Sequence, residues 1–134
     1  MALPCRPTSS MSPHKPEDWP RLFEQQLNAG DLEAVVALYE PNASFVPKSG
    51  KTVVGHDGIR LMLAELIGMR ARLQGRVIKV VTAGDVALLY TDWQGTMVEP
   101  SGKTVENHYK AIEIVRRQPD GTWKLIVGDP NGRE

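Results

Sequence analysis

Four side chains, those of Asp129, His108, Lys110 and Tyr39, are the ones in this sequence best suited to acid–base chemistry. A carboxyl group enclosed by apolar side chains has a raised pKa, because loss of water disfavours its charged form, and it can then act as a general acid or base. We therefore predict that Asp129 exchanges protons with His108, because histidine is the side chain that ordinarily changes its charge near neutral pH. Lys110 and Tyr39 are predicted to polarise the bound molecule through their ammonium and hydroxyl groups.

Each of the three charged candidates also has a simpler interpretation. Asp129 belongs to the segment 128–132, whose composition is typical of a polar turn at the end of a strand. A histidine such as His108 is often half-exposed at the rim of a sheet. Lys110 can pair with Asp92 or extend its stem to solvent. The sequence leaves these alternatives open.

The last third of the chain, residues 85–131, must hold these side chains together. Its apolar alternation predicts long antiparallel strands over 86–98, 104–117 and 122–129, with a bulge or bend near Gly95. Successive side chains of a strand point to opposite faces, so residues two apart share a face. The face that we predict to be concave leaves Trp93 on the other side and carries Leu88, Tyr90, Asp92, Gln94, His108, Lys110, Ile112, Ile114, Leu125, Val127, Asp129 and Asn131.

The first half of the chain is predicted to supply helices that cover this face. Apolar residues at i, i+3 and i+4 predict helices over 16–29 and 32–39, and a third that follows residues 55–58. Short strands are predicted at 43–47 and just before Gly55, with a turn at 49–50, and a further strand at 77–81. This order predicts an α+β domain, with the helices on one side of an antiparallel sheet.

The overall composition argues against several classes of function. Sixteen basic and sixteen acidic residues leave no net charge, so phosphate neutralisation offers no basis for nucleic-acid binding. The longest apolar stretch, 61–69, is too short to span a bilayer. A lone Cys5 and the absence of metal-binding or phosphate-binding motifs predict a cytoplasmic protein with no cofactor and no metal. Residues 1–16, rich in proline, are predicted to be a flexible tail, and residues 17–134 a single domain.

Six segments of the sequence carry motifs of a known family: Leu27–Leu32, Val36–Tyr39, Asn42–Phe45, Gly55–Arg60, Arg116–Lys124 and Gly128–Asn131. They resemble the nuclear-transport-factor-2-like superfamily and, within it, the ketosteroid-isomerase and SnoaL-like polyketide-cyclase branch, including its uncharacterised bacterial members. The resemblance covers about residues 17–131. It implies a cone-shaped, curved antiparallel sheet wrapped around three helices from the N-terminal half of the chain, also called a cystatin-like fold, with an apolar pocket at one end and frequent homodimers.

The resemblance also implies positions for pocket residues. Met62 and Leu63 match the part of the third helix that lines the cavity, and Tyr39 matches a tyrosine of some isomerases. Asp129 lies near the position where the cyclases place a carboxylate on the last strand. Taken with the strand alternation, the predicted substrate pocket consists of Phe23, Leu27, Met62, Leu63, Tyr90, Asp92, Gln94, Ile112, Val127 and Asn131.

The steroid isomerases of this branch use an Asp base and an oxyanion hole made from a Tyr and a protonated Asp. The matching positions here are Pro47, Phe23 and Lys110, none of which supplies the required group. The resemblance therefore implies that this protein is not a steroid isomerase with that mechanism.

Two functions are consistent with these observations. The first is a cofactor-independent acid–base enzyme that isomerises, cyclises, hydrates or opens an epoxide in a small, largely apolar molecule. The second is a non-catalytic ligand-binding or dimerisation module. Four ionisable groups on one concave face are costly unless used or paired, which favours the enzyme. The predicted partners are a small-molecule ligand and a second copy of the chain, bound through the sheet, with no nucleic acid and no membrane.

Overall fold

The computed structural model describes residues 12–48 and 51–134. Its three helices are α1 (Asp18–Asn28), α2 (Leu32–Val36) and α3 (His56–Gly68). Its six strands are β1 (Tyr39–Phe45), β2 (Val53–Val54), β3 (Arg72–Ala83), β4 (Val86–Val98), β5 (Thr104–Arg117) and β6 (Trp123–Asp129). They form one sheet in the order β2-β1-β6-β5-β4-β3, antiparallel except for the parallel pair β1 and β6. The predicted α+β class is confirmed.

Part of the predicted tail belongs to the folded body. Pro13 is buried, and its carbonyl accepts a hydrogen bond of 2.9 Å from the backbone N–H of Trp123 at the start of β6. Residues 1–11 of that tail, and the turn predicted at 49–50, lie outside the described residues.

Helix α1 buries the stripe that its spacing predicted, Trp19, Leu22, Phe23 and Leu27. The turn that follows α1 contains Gly30, which has a positive φ of 74°, the left-handed conformation that glycine adopts at low cost. The side chain of Asp31 then accepts a hydrogen bond of 3.2 Å from the N–H of Ala34 and caps α2.

The predicted helix over 32–39 is shorter than expected, because Tyr39 is the first residue of β1. The carbonyl of Leu38 accepts hydrogen bonds from the backbone N–H of Leu125 at 2.9 Å and from the indole Nε1 of Trp19 at 2.8 Å. These bonds join the chain to β6 and α1 at the point where another helical turn was predicted. Tertiary contacts therefore overrule the local helical pattern.

The helices pack against one face of the sheet, which we call the inner face; the opposite face is the outer face. On β4, the buried residues are those of the inner face, Ala87, Leu89, Thr91 and Trp93. On β5, they are Ala111, Glu113 and Val115. The strand bounds predicted for β4 and β5 are confirmed. The prediction of which side chains face the helices is wrong for both strands, because the buried positions are the alternate ones, one residue away from those predicted.

The pairing of β4 with β5 shows where the predicted concave set lies. Opposed residues of antiparallel strands share a face, and the opposed pairs are Leu88 with Ile114, Tyr90 with Ile112, Asp92 with Lys110, and Gln94 with His108. All eight residues therefore alternate with the buried inner residues and belong to the outer face. They do share one face, as predicted, but it is the face turned away from the helices. His108, nearest the start of β5, also reaches the rim of the space between the sheet and the helices. Trp93, predicted on the far side, is on the inner face.

A bulge in β6 divides the residues predicted together on the last strand. Leu125 pairs with Val115 and is buried on the inner face, whereas Val127 pairs with Ile114 and shares its outer phase. Ile126 is the extra residue between them. A bulge or bend was predicted near Gly95. The pairing of β4 with β5 has no register shift there, which excludes the bulge; the irregularity is on β3, between Val77 and Lys79.

No helix among the described residues is long and apolar enough to cross a membrane.

Candidate functional site

A cavity of about 530 Å³ lies between the helices and the inner face of the sheet. Its wall is mainly apolar and aromatic. The apolar and aromatic lining residues are Trp19, Phe23, Tyr39, Phe45, Met62, Leu66, Ala71, Leu73, Trp93, Met97, Tyr109, Ala111 and Leu125. Helices α1 and α3 supply one side of this wall, and the inner residues of β1, β4, β5 and β6 supply the other. A cavity of this size and composition is typical of small-molecule sites.

Glu113 is the one acidic side chain of the cavity that is buried, with 5% of its surface exposed. Its Oε1 accepts a hydrogen bond of 2.8 Å from the hydroxyl of Thr91, and its Oε2 accepts one of 2.8 Å from Nε1 of Trp93. Both donors are inner-face residues of β4, the neighbouring strand. The β4–β5 pairing therefore fixes the position of the carboxyl group on the cavity wall.

Burial raises the pKa of Glu113 from an ordinary value of 4.5 to about 7. The hydrogen bonds from Trp93 and Thr91 favour the charged form and limit this rise, with a smaller contribution from the positive charge of Arg133. A carboxyl group with a pKa near neutrality can either donate or accept a proton under ordinary conditions.

Aromatic rings connect Glu113 to Tyr39 around the cavity. Trp93 makes an edge contact with Phe23 at 5.4 Å between ring centroids, and Phe23 stacks on Trp19 at 5.2 Å. Trp19 in turn makes an edge contact with Tyr39 at 5.7 Å. Tyr39 lies close enough to Glu113 for the two to interact electrostatically: burial raises the pKa of the Tyr39 hydroxyl, and the negative charge of Glu113 raises it further. Tyr39 therefore stays a neutral hydroxyl.

The structure places six of the predicted site residues on the cavity wall. Three of them are buried or half-buried beside the helices, Phe23, Tyr39 and Met62. The other three lie where β5 and β6 reach the rim, His108, Asp129 and Asn131. No hydrogen bond joins Asp129 to His108. Asp129 pairs with Ile112 on β5 and therefore lies on the opposite face of the sheet from the buried Glu113. The predicted proton-transfer pair is therefore a pair of rim residues rather than an enclosed couple.

The other eight predicted residues do not line this cavity. Leu27 and Leu63 are fully buried in the core, behind the wall. Lys110, Tyr90, Asp92, Gln94, Ile112 and Val127 belong to the outer phase, because the true phase of β4 and β5 is the opposite of the predicted one. Their predicted place in the pocket is wrong for this reason.

On the outer face, Asp92 pairs with Arg133 from the C-terminal turn, at 2.7 Å. This hydrogen bond lowers the pKa of Asp92, and Lys110 contributes only as the weakest of several nearby charges. The structural pair suggested for Lys110 and Asp92 is thus mainly a pair between Asp92 and Arg133. The guanidinium of Arg133 also covers the ring of Tyr90, at 5.1 Å from its centroid.

The residue that the sequence analysis missed is Glu113. It is the only charged residue in the segment 111–115, Ala-Ile-Glu-Ile-Val, and a lone acid inside an apolar strand is the signal that could have revealed it. Among the residues that the structure describes, no three His, Cys, Asp or Glu side chains stand close enough together to hold a metal ion.

Solved structures with the same fold come from several bacteria. A ketosteroid isomerase-like protein from Erwinia carotovora atroseptica has a TM-score of 0.75 and 19% identity, over 84% of this chain and 89% of that one. A nuclear transport factor 2 superfamily protein from Salmonella enterica has a TM-score of 0.71 and 16% identity, over 84% of each chain. An NTF2-like protein with a cystatin-like fold from Novosphingobium aromaticivorans has a TM-score of 0.70 and 16% identity, over 84% and 75%.

These likenesses place the chain in the class of proteins with the nuclear-transport-factor-2-like, cystatin-like fold. The family model of the SnoaL-like domain matches residues 20–126, and the chain belongs to that family. No curated protein sequence matches it significantly. The family resemblance predicted from the sequence is confirmed.

Proposed function

We propose that this SnoaL-like protein binds a small, largely apolar molecule in the cavity and acts on it by cofactor-independent acid–base chemistry. The reaction is of the isomerase, cyclase, hydratase or epoxide-hydrolase type. The observation that carries the proposal is Glu113, a carboxyl group of near-neutral pKa on the wall of an otherwise apolar cavity. In this proposal Glu113 is the proton-transfer group.

The remaining candidates have secondary roles in this proposal. Tyr39 is buried on the same wall, and its neutral hydroxyl suits it to donate a hydrogen bond to an oxygen of the bound molecule. Asp129 and His108, at the rim, suit proton exchange with solvent rather than with an enclosed substrate. Lys110 has no part in it, because it faces away from the cavity. The mechanism of the steroid isomerases has no support, since Pro47 and Phe23 stand where its base and tyrosine would be.

A non-catalytic binding module remains the second candidate, and one observation favours it. Each oxygen of Glu113 already accepts a hydrogen bond from the chain itself, from Thr91 and from Trp93. A buried carboxyl group held in this way can simply stabilise the pairing of β4 with β5.

The enzyme and the binding module predict different effects of Glu113→Gln on the turnover of a bound compound. Wild-type protein and the variant are each incubated with a small-molecule extract of the host cell, and the extract is analysed by mass spectrometry for bound and for transformed compounds. Under the enzyme proposal, at least one apolar compound is consumed by the wild type only, while both proteins retain it on ultrafiltration. Retention of the compound by both proteins with no consumption by either supports the binding module.

The cavity itself is tested by two neighbouring residues on opposite faces of β5. Ala111→Leu adds bulk to the cavity wall, whereas Lys110→Leu adds an apolar side chain on the outer face. We expect the first variant to lose retention of the apolar compound and the second to keep it, with thermal unfolding showing that both fold. Equal retention by both variants would remove the cavity from the proposal.

We also propose that the chain forms a homodimer through the outer face of the sheet. Leu88, Tyr90, Ile112 and Ile114 form a half-exposed apolar patch there, at the centre of the four long strands. Ile114→Lys should shift the protein towards monomer in sedimentation velocity, and an unchanged sedimentation coefficient would contradict the dimer. The predicted cytoplasmic location stays a prediction.

A further inference from the structure

Within the described part of the chain, Glu113 has no cationic partner inside the cavity. Apart from the tyrosines, the other ionisable side chains of the wall are exposed or half-exposed where the wall meets solvent; they are Lys48, Glu106, His108 and Asp129. The guanidinium of Arg133 acts on Glu113 from the outer side of the sheet, where it is bonded to Asp92 and to the carbonyls of Thr91 and Ala111. A buried carboxylate without a counter-ion is costly, so a bound ligand with a positive charge would be stabilised against it.

The two hydrogen-bond donors around Glu113 favour its charged form, although burial disfavours it. Two neutral donors, the hydroxyl of Thr91 and the indole of Trp93, point at separate oxygens of the carboxylate. If Glu113 is protonated, one of these oxygens carries a hydrogen, and that hydrogen cannot point at the donor that the same oxygen faces. A ligand that removes this proton leaves a carboxylate already solvated by two donors.

The aromatic wall provides the second half of a cation site. Four rings, those of Trp93, Phe23, Trp19 and Tyr39, contact one another in sequence. Trp93, at one end of this series, is hydrogen-bonded to Glu113, and Tyr39, at the other end, is near enough for the charge of Glu113 to act on its hydroxyl. The faces of aromatic rings attract ammonium groups and do not attract carbonyl oxygens. A carboxylate set among such rings is the combination that recognises organic cations.

We infer that the molecule bound in this cavity carries one basic nitrogen on an otherwise apolar body, and that the nitrogen is held as an ammonium group against Glu113 and the aromatic rings. This inference rests on the proposed function, because it assigns a chemical class to the ligand of the same cavity. The proton balance is simple. A neutral amine takes the proton of the Glu113 carboxylic acid, which leaves an ammonium–carboxylate pair; an amine already charged on entry expels that proton to solvent.

The inference is tested with three probes that share a naphthalene body. They are 2-naphthylmethylamine, 2-naphthylmethanol and 2-acetylnaphthalene, which present an ammonium, a hydroxyl and a carbonyl group. Their dissociation constants are measured by titration calorimetry at about pH 8, above the pKa of Glu113. We expect the amine to bind at least about tenfold more tightly than the alcohol or the ketone, as a charge-assisted hydrogen bond with cation–π contacts predicts.

The variant Glu113→Gln provides the second comparison. It should reduce the affinity for the amine by about tenfold or more and leave the affinity for the alcohol within about threefold. Glu99→Gln, which removes one negative charge at an exposed turn, is the matched control for net charge. Comparison of the three probes on the wild type needs no variant, so a failure of Glu113→Gln to fold leaves the test intact.

The outcomes separate the inference from the proposed function. If the ketone or the alcohol binds as tightly as the amine or more tightly, the inference that the ligand carries a basic nitrogen is overturned, and the proposal of an apolar binding cavity is unaffected. An amine preference that Glu113→Gln does not change also overturns the inference. If no probe binds, the cavity is not a ligand site, and the proposed function fails together with the inference.

Discussion

The indole Nε1 of Trp93 donates a hydrogen bond of 2.8 Å to Oε2 of Glu113, between neighbouring strands and with both side chains buried. The same indole ring makes the edge contact with Phe23 of α1. One side chain thus fixes the carboxyl group of the cavity and packs the sheet against a helix. The folding of the sheet and the chemistry of the site therefore depend on the same contact.

The ionisation of Glu113 should make stability depend on pH. Because burial raises its pKa from 4.5 to about 7, the folded state holds this proton more tightly than the unfolded state does. The stabilising contribution of the bound proton is complete below about pH 4.5 and is lost as the pH rises through about 7. Between these two pH values the free energy of unfolding should fall by roughly 3 kcal/mol. Urea unfolding at about pH 5 and about pH 8 should show this loss in the wild type.

Glu113→Gln is the control for this prediction, because it cannot ionise and should remove most of that pH dependence. Carboxyl groups whose pKa values are lowered, such as Glu40 and Asp92, change stability in the opposite direction and only at more acidic pH. If the free energy of unfolding changes equally in the wild type and in the variant between these two pH values, Glu113 does not ionise in the way proposed.

Thr91→Val should raise the pKa of Glu113 further. The substitution keeps the shape of the side chain and removes the hydroxyl that donates to Oε1 at 2.8 Å, so the carboxylate loses one of its two donors. The measurement is a pH titration of the Glu113 carboxyl carbon by NMR. Thr82→Val, at an exposed position of β3, is the matched control and should leave that titration unchanged. An unchanged or lowered pKa in Thr91→Val would show that the hydroxyl does not stabilise the charged form.

The sequence predicts the strands but not their orientation. The bounds of β4 and β5 match the prediction, because polar turns at 83–85 and 100–102 frame them. Their phase is ambiguous, because both alternating sets are apolar over 86–90. Over 111–115, the charge of Glu113 places the other set, Ile112 and Ile114, on the apolar face. The larger apolar residues, Leu88, Tyr90 and Ile112, favoured the wrong set. The inner face instead carries small residues such as Ala87 and Ala111, which leave room for the helices and the cavity.

The residues of the candidate site can likewise be predicted only where the sequence pattern fixes the face on which a side chain lies. Phe23 and Met62 line the cavity in this structure, and the single apolar stripe of each helix indicates the face on which they lie. The lone charge in the segment 111–115 draws attention to Glu113, but only the phase of β5 shows that this side chain is buried, because in the opposite phase it is an ordinary exposed glutamate. A one-residue shift in phase therefore exchanges the site residues for surface residues.

Gly95→Ala should be strongly destabilising. A Cβ atom at Gly95 would lie 2.0 Å from the backbone carbonyl oxygen of Arg72 on the paired strand, so the backbone itself would have to move. We expect a loss of at least about 2 kcal/mol in the free energy of unfolding measured with urea. Gly68→Ala is the control, since nothing lies within 4 Å of a Cβ there and alanine favours the end of α3 by up to about 1 kcal/mol. Equal effects of the two substitutions would contradict the close approach of β3 and β4.

Arg133→Ala should destabilise the sheet more than Arg76→Ala, although both arginines pair with Asp92. The guanidinium of Arg133 donates to the backbone carbonyls of Ala111 at 3.1 Å and Thr91 at 2.9 Å, and so joins β4 to β5 from the outer face. Loss of these two bonds should cost roughly 1–3 kcal/mol of unfolding free energy. Arg76 is largely exposed and reaches Asp92 only at 4.0 Å, so its removal should have little effect. Urea unfolding of both variants gives the comparison, and a loss for Arg76→Ala as large as that for Arg133→Ala would show that the C-terminal turn does not hold the strands together.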